Sequence, residues 1–289
     1  MPIHIIPDNY ENLIEGAYLP GEILRGEIIV KTKKRIKARK LSAIYVGMEH
    51  SSVTRGGGKN SHTYYEKYYH FNIEDVFMEP KPGANSIILD GSYRFNYEFE
   101  IPENAPPSFK LHNSGIQYLI DVKIDRAMAS DIHKKLELLV IPNSLEKIEQ
   151  GPLTDLMRAD SYIPECTLTC KKEIFNEGDT VDIELNVLVN REPKINDIRI
   201  SIESISTISA RGYTDTFPSI IKGWKISKKN LKMGENLFNL SYEIPMNIPY
   251  SILGMLVKRN YFIHLKLNRR FYPDNHLWLP IIIVPSIIE

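Results

Sequence analysis

The sequence predicts an all-β chain folded as two tandem antiparallel β-sandwiches. Three observations carry that prediction: an internal duplication, period-two alternation of apolar residues, and turn signals between short runs. The duplication is plainest where Gly91-Ser-Tyr-Arg-Phe-Asn-Tyr-Glu-Phe-Glu-Ile-Pro102 recurs as Gly234-Glu-Asn-Leu-Phe-Asn-Leu-Ser-Tyr-Glu-Ile-Pro245. At the same spacing Pro106 meets Pro249, Ser108 meets Ser251, Tyr118 meets Tyr261, Asp131 meets Asp274 and His133 meets His276. Near the start of each half a wider spacing sets Gly21-Glu22 against Gly178-Asp179 and the run to Tyr45 against the run to Ile202. A chain of 289 residues accommodates two domains of ordinary size, each with its own core. The expected division is 1–148, a linker 149–161, and 162–289.

Alternation justifies the elements in order. Glu22 to Val30 and Leu41 to Val46 place β-branched and aromatic residues on one face, as half-buried strands do. Tyr93, Phe95, Tyr97 and Phe99 make a single aromatic face with polar residues opposite, and Tyr118 to Ile124 repeats the pattern. The second half answers with Thr180–Val189, Ile198–Ile205, Leu237–Ile244, Tyr261–Leu267 and Trp278–Val284. Proline, which cannot donate to a ladder, closes strands at 102, 142, 245 and 285. Between Pro142 and Ser161 the alternation stops, and Leu145–Ile148 and Leu153–Met157 are expected to hold at most a helical turn. The first half is longer than the second between Val46 and Gly91, and Arg55-Gly-Gly-Gly-Lys-Asn60 marks a long hairpin or loop there.

Composition narrows the function. Lys plus Arg equals Asp plus Glu, 36 each, so no broad field draws the chain to nucleic acid. No apolar run approaches the roughly 20 residues that span a bilayer. Met1-Pro-Ile-His-Ile-Ile-Pro7 lacks the basic region and long apolar core of a signal peptide, and a cytoplasmic protein is expected. Cys166 and Cys170, on one face of a strand, would stand about 13 Å apart, too far for a disulfide. They read as small buried hydrophobes. None of the 8 histidines pairs with another at metal-ligand spacing, and no nucleophile elbow, zinc-protease or dinucleotide motif occurs. No catalytic residue, cofactor or metal is therefore expected.

Tyr18-Leu-Pro-Gly21-Glu22, with Gly26 following, then Tyr93–Pro102, Pro106-Pro-Ser-Phe109 and Ile116-Gln-Tyr118, resemble the arrestin superfamily. In the second half Phe175-Asn-Glu-Gly178-Asp179, Pro249-Tyr-Ser251-Ile-Leu253 and Leu279-Pro280-Ile-Ile282 do the same. The match is most similar to α-arrestins and extends over nearly the whole chain. It implies arrestin-like, immunoglobulin-like sandwiches and a non-enzymatic adaptor role. A retromer-type subunit or a sporulation-control relative is the alternative within the fold. The resemblance also brings to mind the Pro-Pro-x-Tyr tails through which α-arrestins recruit ubiquitin ligases. This sequence reaches Glu289 shortly after Pro285, and ligase recruitment is not expected of it.

One stretch stands out as a candidate site. From Lys31 to Lys40 every residue except Thr32, Ile36 and Ala38 is basic: Lys31, Lys33, Lys34, Arg35, Lys37, Arg39 and Lys40. Edge lysines that discourage strand aggregation would explain it, and so would a surface for anionic lipid or phosphorylated tails. The equivalent stretch of the second half, Leu188–Asp197, has only Arg191 and Lys194, so the fold does not require the charge. A hairpin tip is expected here, and the resemblance implies the position of the arrestin finger loop. Tyr64-Tyr-Glu-Lys-Tyr-Tyr-His-Phe71 is expected to divide its rings between a core and an outer edge. The expected function is an adaptor for protein partners, namely membrane-protein tails or trafficking subunits. It would lie in the cytoplasm and peripherally at anionic membranes, with nucleic acid disfavoured. A carbohydrate- or nucleic-acid-binding β-sandwich is the alternative from another class.

Overall fold

Alternation becomes strand almost throughout the computed structural model, which describes residues 3–8, 17–142, 152–160 and 163–284. Leu145–Ile148 and Pro285 lie outside the described residues. Nine strands come first: β1 (Ile3–Pro7), β2 (Ala17–Tyr18), β3 (Ile23–Ala38), β4 (Lys40–Arg55), β5 (His62–Met78), β6 (Ile87–Glu100), β7 (Phe109–Leu111), β8 (Ser114–Asp125) and β9 (Ile132–Val140). Ten follow: β10 (Leu153–Met157), β11 (Glu165–Cys170), β12 (Ile174–Asn176), β13 (Thr180–Val189), β14 (Ile195–Ala210), β15 (Tyr213–Ser227), β16 (Gly234–Glu243), β17 (Ile252–Leu253), β18 (Val257–Arg269) and β19 (Asn275–Val284). The chain divides into two units, the first comprising Met1–Pro142 with Ile208–Thr214 and Gly254–Val257, the second the remainder.

In the first unit one sheet runs β1-β3-β6 and the other β2-β9-β8-β4-β5, with β7 paired to β8. The aromatic face read from β6 fills the space between them: Tyr45 of β4 stacks on Phe99 at 4.5 Å and tilts against Tyr97 at 6.1 Å. In the second unit the sheets are β10-β11-β13-β16 and β12-β19-β18-β14-β15, with β17 beside β18. Cys166, Leu168 and Ile183 of one sheet meet Ile198, Ile200 and Ile263 of the other in a single core. Burial pushes the Cys166 thiol up to about 12, as befits an inert core residue. Two short pairings are parallel and repeat-related, β2 with β9 and β12 with β19.

The positions that recur in the sequence are those whose hydrogen bonds recur. Gly21 and Gly178, at φ +83° and +80°, donate to Ile101 and Ile244, which donate back to Glu22 and Asp179. Ser108 Oγ accepts from Val140 N–H and Ser251 Oγ from Ile283 N–H, both at 2.9 Å. The buried hydroxyls of Tyr118 and Tyr261 donate to the carbonyls of Pro106 and Pro249. Tyr118→Phe strands the buried carbonyl of Pro106 and is expected to lower stability by about 1–2 kcal/mol, whereas Tyr261→Phe, whose acceptor lies on exposed Pro249, is expected to cost about half as much. Urea titrations of the two single variants and the double variant would check this, and an unchanged midpoint in either single variant would refute it.

One expectation is corrected here. Leu153–Met157, inside the expected linker, is not a helical turn but strand β10, antiparallel to β11 from Leu153↔Cys170 to Met157↔Cys166. Leu153 and Met157 pack on the core, and the ladder with β11 satisfies the backbone of the segment between them. The long hairpin expected around 55–60 is present, with β4 and β5 paired from Leu41↔Met78 to Arg55↔His62, and it carries part of the extra length of the first half. The β4–β5 turn spans 56–61 against 211–212, and β6 starts at Ile87, ahead of Gly91, whereas β16 starts at Gly234 itself.

Candidate anionic-surface site

The basic run lies where the chain passes from β3 in one sheet to β4 in the other. β3 pairs with β1 only as far as Val30, and with β6 along its length. Between Thr32 and Ile36 the register with β6 shifts: Thr32 opposes Gly91, Ile36 opposes Leu89, and Lys33, Lys34 and Arg35 bulge out against Asp90 alone. The base of the bulge is clamped, since Gly91 N–H donates to Thr32 Oγ1 at 2.9 Å and Asp90 N–H to Tyr93 Oη at 2.9 Å. Gly91 has φ +100°, a conformation that suits glycine best. Ala38 then returns to the core, and Arg39 carries the chain into β4 of the other sheet.

The expected hairpin tip is therefore absent, because β3 and β4 do not pair. The hairpin tip that follows this run lies at 56–61, between β4 and β5, so the finger-loop position implied for 31–40 loses its geometric ground.

The seven basic residues also separate in role. Arg39 Nε donates to Asp125 Oδ1 at 2.9 Å, and its backbone N–H donates to Asp125 O at 2.7 Å. Lys40 pairs with Glu74 at 2.7 Å, and that carboxylate, which also accepts from Ser42 Oγ, is held below its ordinary range. Arg35 reaches Asp90 only at 3.9 Å. Lys31, Lys33, Lys34 and Lys37 are exposed and meet no carboxylate among the described residues. Arg39 and Lys40 brace the crossover, while Lys31, Lys33, Lys34 and Lys37, with Arg35, present charge to solvent.

The tyrosine cluster divides as expected, with one addition. β5 is an edge strand on which Tyr65, Tyr68 and Tyr69 are exposed, whereas Phe71 packs on Tyr118 and Phe99. A bulge between Phe71↔Gly47 and Tyr69↔Met48 leaves His70 over, and its Nε2 meets Glu49 at 2.9 Å.

A second surface feature went unread in the sequence. The turns of the β8–β9 and β18–β19 hairpins are closed alike, by Arg126 N–H donating to Asp131 and Arg269 N–H to Asp274. Asp131 is held down to about 2, chiefly by Lys123 and then by that N–H. At their repeat-related tips stand Met128, φ +61° and 107% exposed, and Phe271, φ +70° and 87% exposed. A left-handed non-glycine residue costs about 1 kcal/mol, and here it holds a large apolar side chain in water. Arg269 and Arg270 flank the second tip, over the rings of Tyr272 and Phe271 at 4.7 and 4.9 Å. The repeat itself was the available signal, for it aligns the two tips.

The fold and site together define a β-sandwich binding scaffold that offers a cationic bulge and an aromatic edge. Residues 10–145 match the family described as Arrestin (or S-antigen), N-terminal domain. The match covers slightly under half of the chain and supports its resemblance to the arrestin superfamily, a family of non-enzymatic scaffolds that bind proteins. The match does not separate the α-arrestin reading from the retromer-type one. No curated protein matches the chain. Among the described residues no helix is long and apolar enough to cross a membrane.

Proposed function

We propose that the chain is a cytoplasmic arrestin-type adaptor that holds protein partners, membrane-protein tails or trafficking subunits, at anionic membrane surfaces. The observation that carries this reading is the exposed lysine set in and beside the bulge, Lys31, Lys33, Lys34 and Lys37, which meets no carboxylate among the described residues. Each basic residue near an anionic bilayer contributes about 1 kcal/mol. The Arg269–Tyr272 tip supports the same reading, since aromatic rings beside arginines suit the headgroup boundary. Partners would add to the edge of β5 beyond Glu66, since Arg211 already engages Tyr65 O and Glu66, and exposed Tyr68 and Tyr69 would supply side-chain contacts beyond the backbone ladder.

Vesicle co-sedimentation tests it. Wild type is expected to bind vesicles of phosphatidylcholine with phosphatidylserine, weakening as salt rises. Replacing Lys31, Lys33, Lys34 and Lys37 by Glu is expected to weaken binding at least about a hundredfold. Arg39 and Lys40 stay intact because they brace the fold. Equal binding by the two proteins would remove the bulge from the proposal. Equal binding to vesicles with and without phosphatidylserine would sink the anionic-surface reading altogether.

A further inference from the structure

The second unit carries a chain of titratable groups, Glu203 and His264 buried and His276 at the surface, that the adaptor reading does not use. On β18 Tyr261, Ile263, Leu265 and Leu267 face the core, so His264 and Lys266 point to the opposite face of the sheet. There His264 is nevertheless buried. Its ring lies on the indole of Trp278, centroids 3.6 Å apart and planes within 4°. Its Nδ1 meets Glu203 Oε1 at 2.9 Å, and Glu203 also accepts from Ser201 Oγ at 2.5 Å. Its Nε2 meets His276 Nδ1 at 2.8 Å.

Counting protons shows what the arrangement permits. A carboxylate only accepts, so His264 Nδ1 carries hydrogen and donates to Glu203. The neutral His264 Nε2 is then an acceptor, and His276 Nδ1–H donates to it. One further proton can sit on His276 Nε2 with every bond intact. A second would have to go on His264 Nε2, where it would face the Nδ1–H of His276 at 2.8 Å. Two donors at that distance repel, so the pair must part.

The surroundings leave the histidines to decide. Lys266, the cross-strand partner of His276, is engaged by Asp274 at 2.7 Å. On β14 Asp197 binds Arg199 and Lys225 of β15, and Arg259 of β18 donates to Ser206 at 3.0 Å. β12 consists of Ile174, Phe175 and Asn176 and adds no charge. Burial, then the neighbouring His264, hold His276 below the ordinary imidazole value of 6.5.

We propose that Glu203, His264 and His276 form a proton-operated switch on the outer face of the second unit, closed against Trp278 at neutral pH and opened by acid. Opening adds positive charge to the face and unstacks the indole. This inference is independent of the membrane reading.

The sequence has 2 tryptophans, so Trp224→Phe leaves Trp278 as the sole reporter. In that background, acidification is expected to change Trp278 fluorescence in two steps, the first below pH 6.5. His276→Asn removes the Nδ1–H that faces His264 Nε2 and is expected to leave one step in place of two. Glu203→Gln is expected to move the first midpoint down by about one pH unit. This second variant decides the matter should His276→Asn fail to fold. A flat wild-type titration, or variants superimposable on it, would overturn the switch.

Discussion

Replacing Glu49 by alanine is expected to lower the stability of the chain by about 3 kcal/mol. Glu49 lies on β4 with 0% exposure. Its carboxylate accepts from His70 Nε2 at 2.9 Å and from the consecutive backbone N–H groups of Met255, Leu256 and Val257 at 2.8, 2.7 and 3.1 Å. Gly254 is needed beside it, since a Cβ there would lie 2.7 Å from the carboxylate. Alanine leaves those donors without an acceptor, and only the one at exposed Met255 is readily rehydrated. Glu49→Gln keeps one oxygen and is expected to lose about half as much. Burial works to raise the Glu49 carboxyl, but His70 and the three N–H groups prevail and hold it below its ordinary 4.5. A depressed carboxyl contributes stability that is full above the unfolded value and is lost as pH falls through the folded one. The gap between wild type and Glu49→Gln should therefore close below about pH 4.5. Denaturant titrations at neutral and acid pH would measure it, and an equal gap at both would show that the carboxylate charge is not what matters.

Gly26→Ala is expected to cost about 3 kcal/mol, at the upper end for overpacking. Gly26 sits on β3 opposite Pro7 of β1 and Tyr97 of β6. A Cβ there would fall 2.3 Å from the carbonyl oxygen of Ile6, 2.8 Å from Pro7 Cα and 2.7 Å from the Tyr97 hydroxyl. The first two are backbone atoms and cannot rotate away, so β1 must lift. The check is hydrogen exchange at Ile3–Pro7, which should accelerate in the variant while β8 exchanges as before. Unchanged protection of β1 would falsify the argument.

The close approach at Gly26 was legible in advance, because a glycine inside an alternating strand has few other purposes. So were the paired tyrosines, serines and glycines of the repeat, each of which proves to hold one end of a recurring hydrogen bond. Glu49 was not legible. It falls in a strand whose other inward positions are mostly apolar, and its backbone donors come from residues far along the chain. The basic run was legible as charge but not as shape. Seven basic residues between two strands look the same whether the strands pair or part, and only the sheet assignment separates bracing Arg39 and Lys40 from free Lys31, Lys33, Lys34 and Lys37.

By itself the sequence determined the all-β class and the duplication. Alternation and turn residues are local, and a repeat preserves whatever local bonds two like domains need. Tertiary structure alone decided which charges are neutralised, where the chain leaves one sheet for another, and that His264, Glu203 and His276 share one line of hydrogen bonds. Those outcomes depend on side chains from separate strands meeting at hydrogen-bond distance, and no spacing along the chain encodes such meetings.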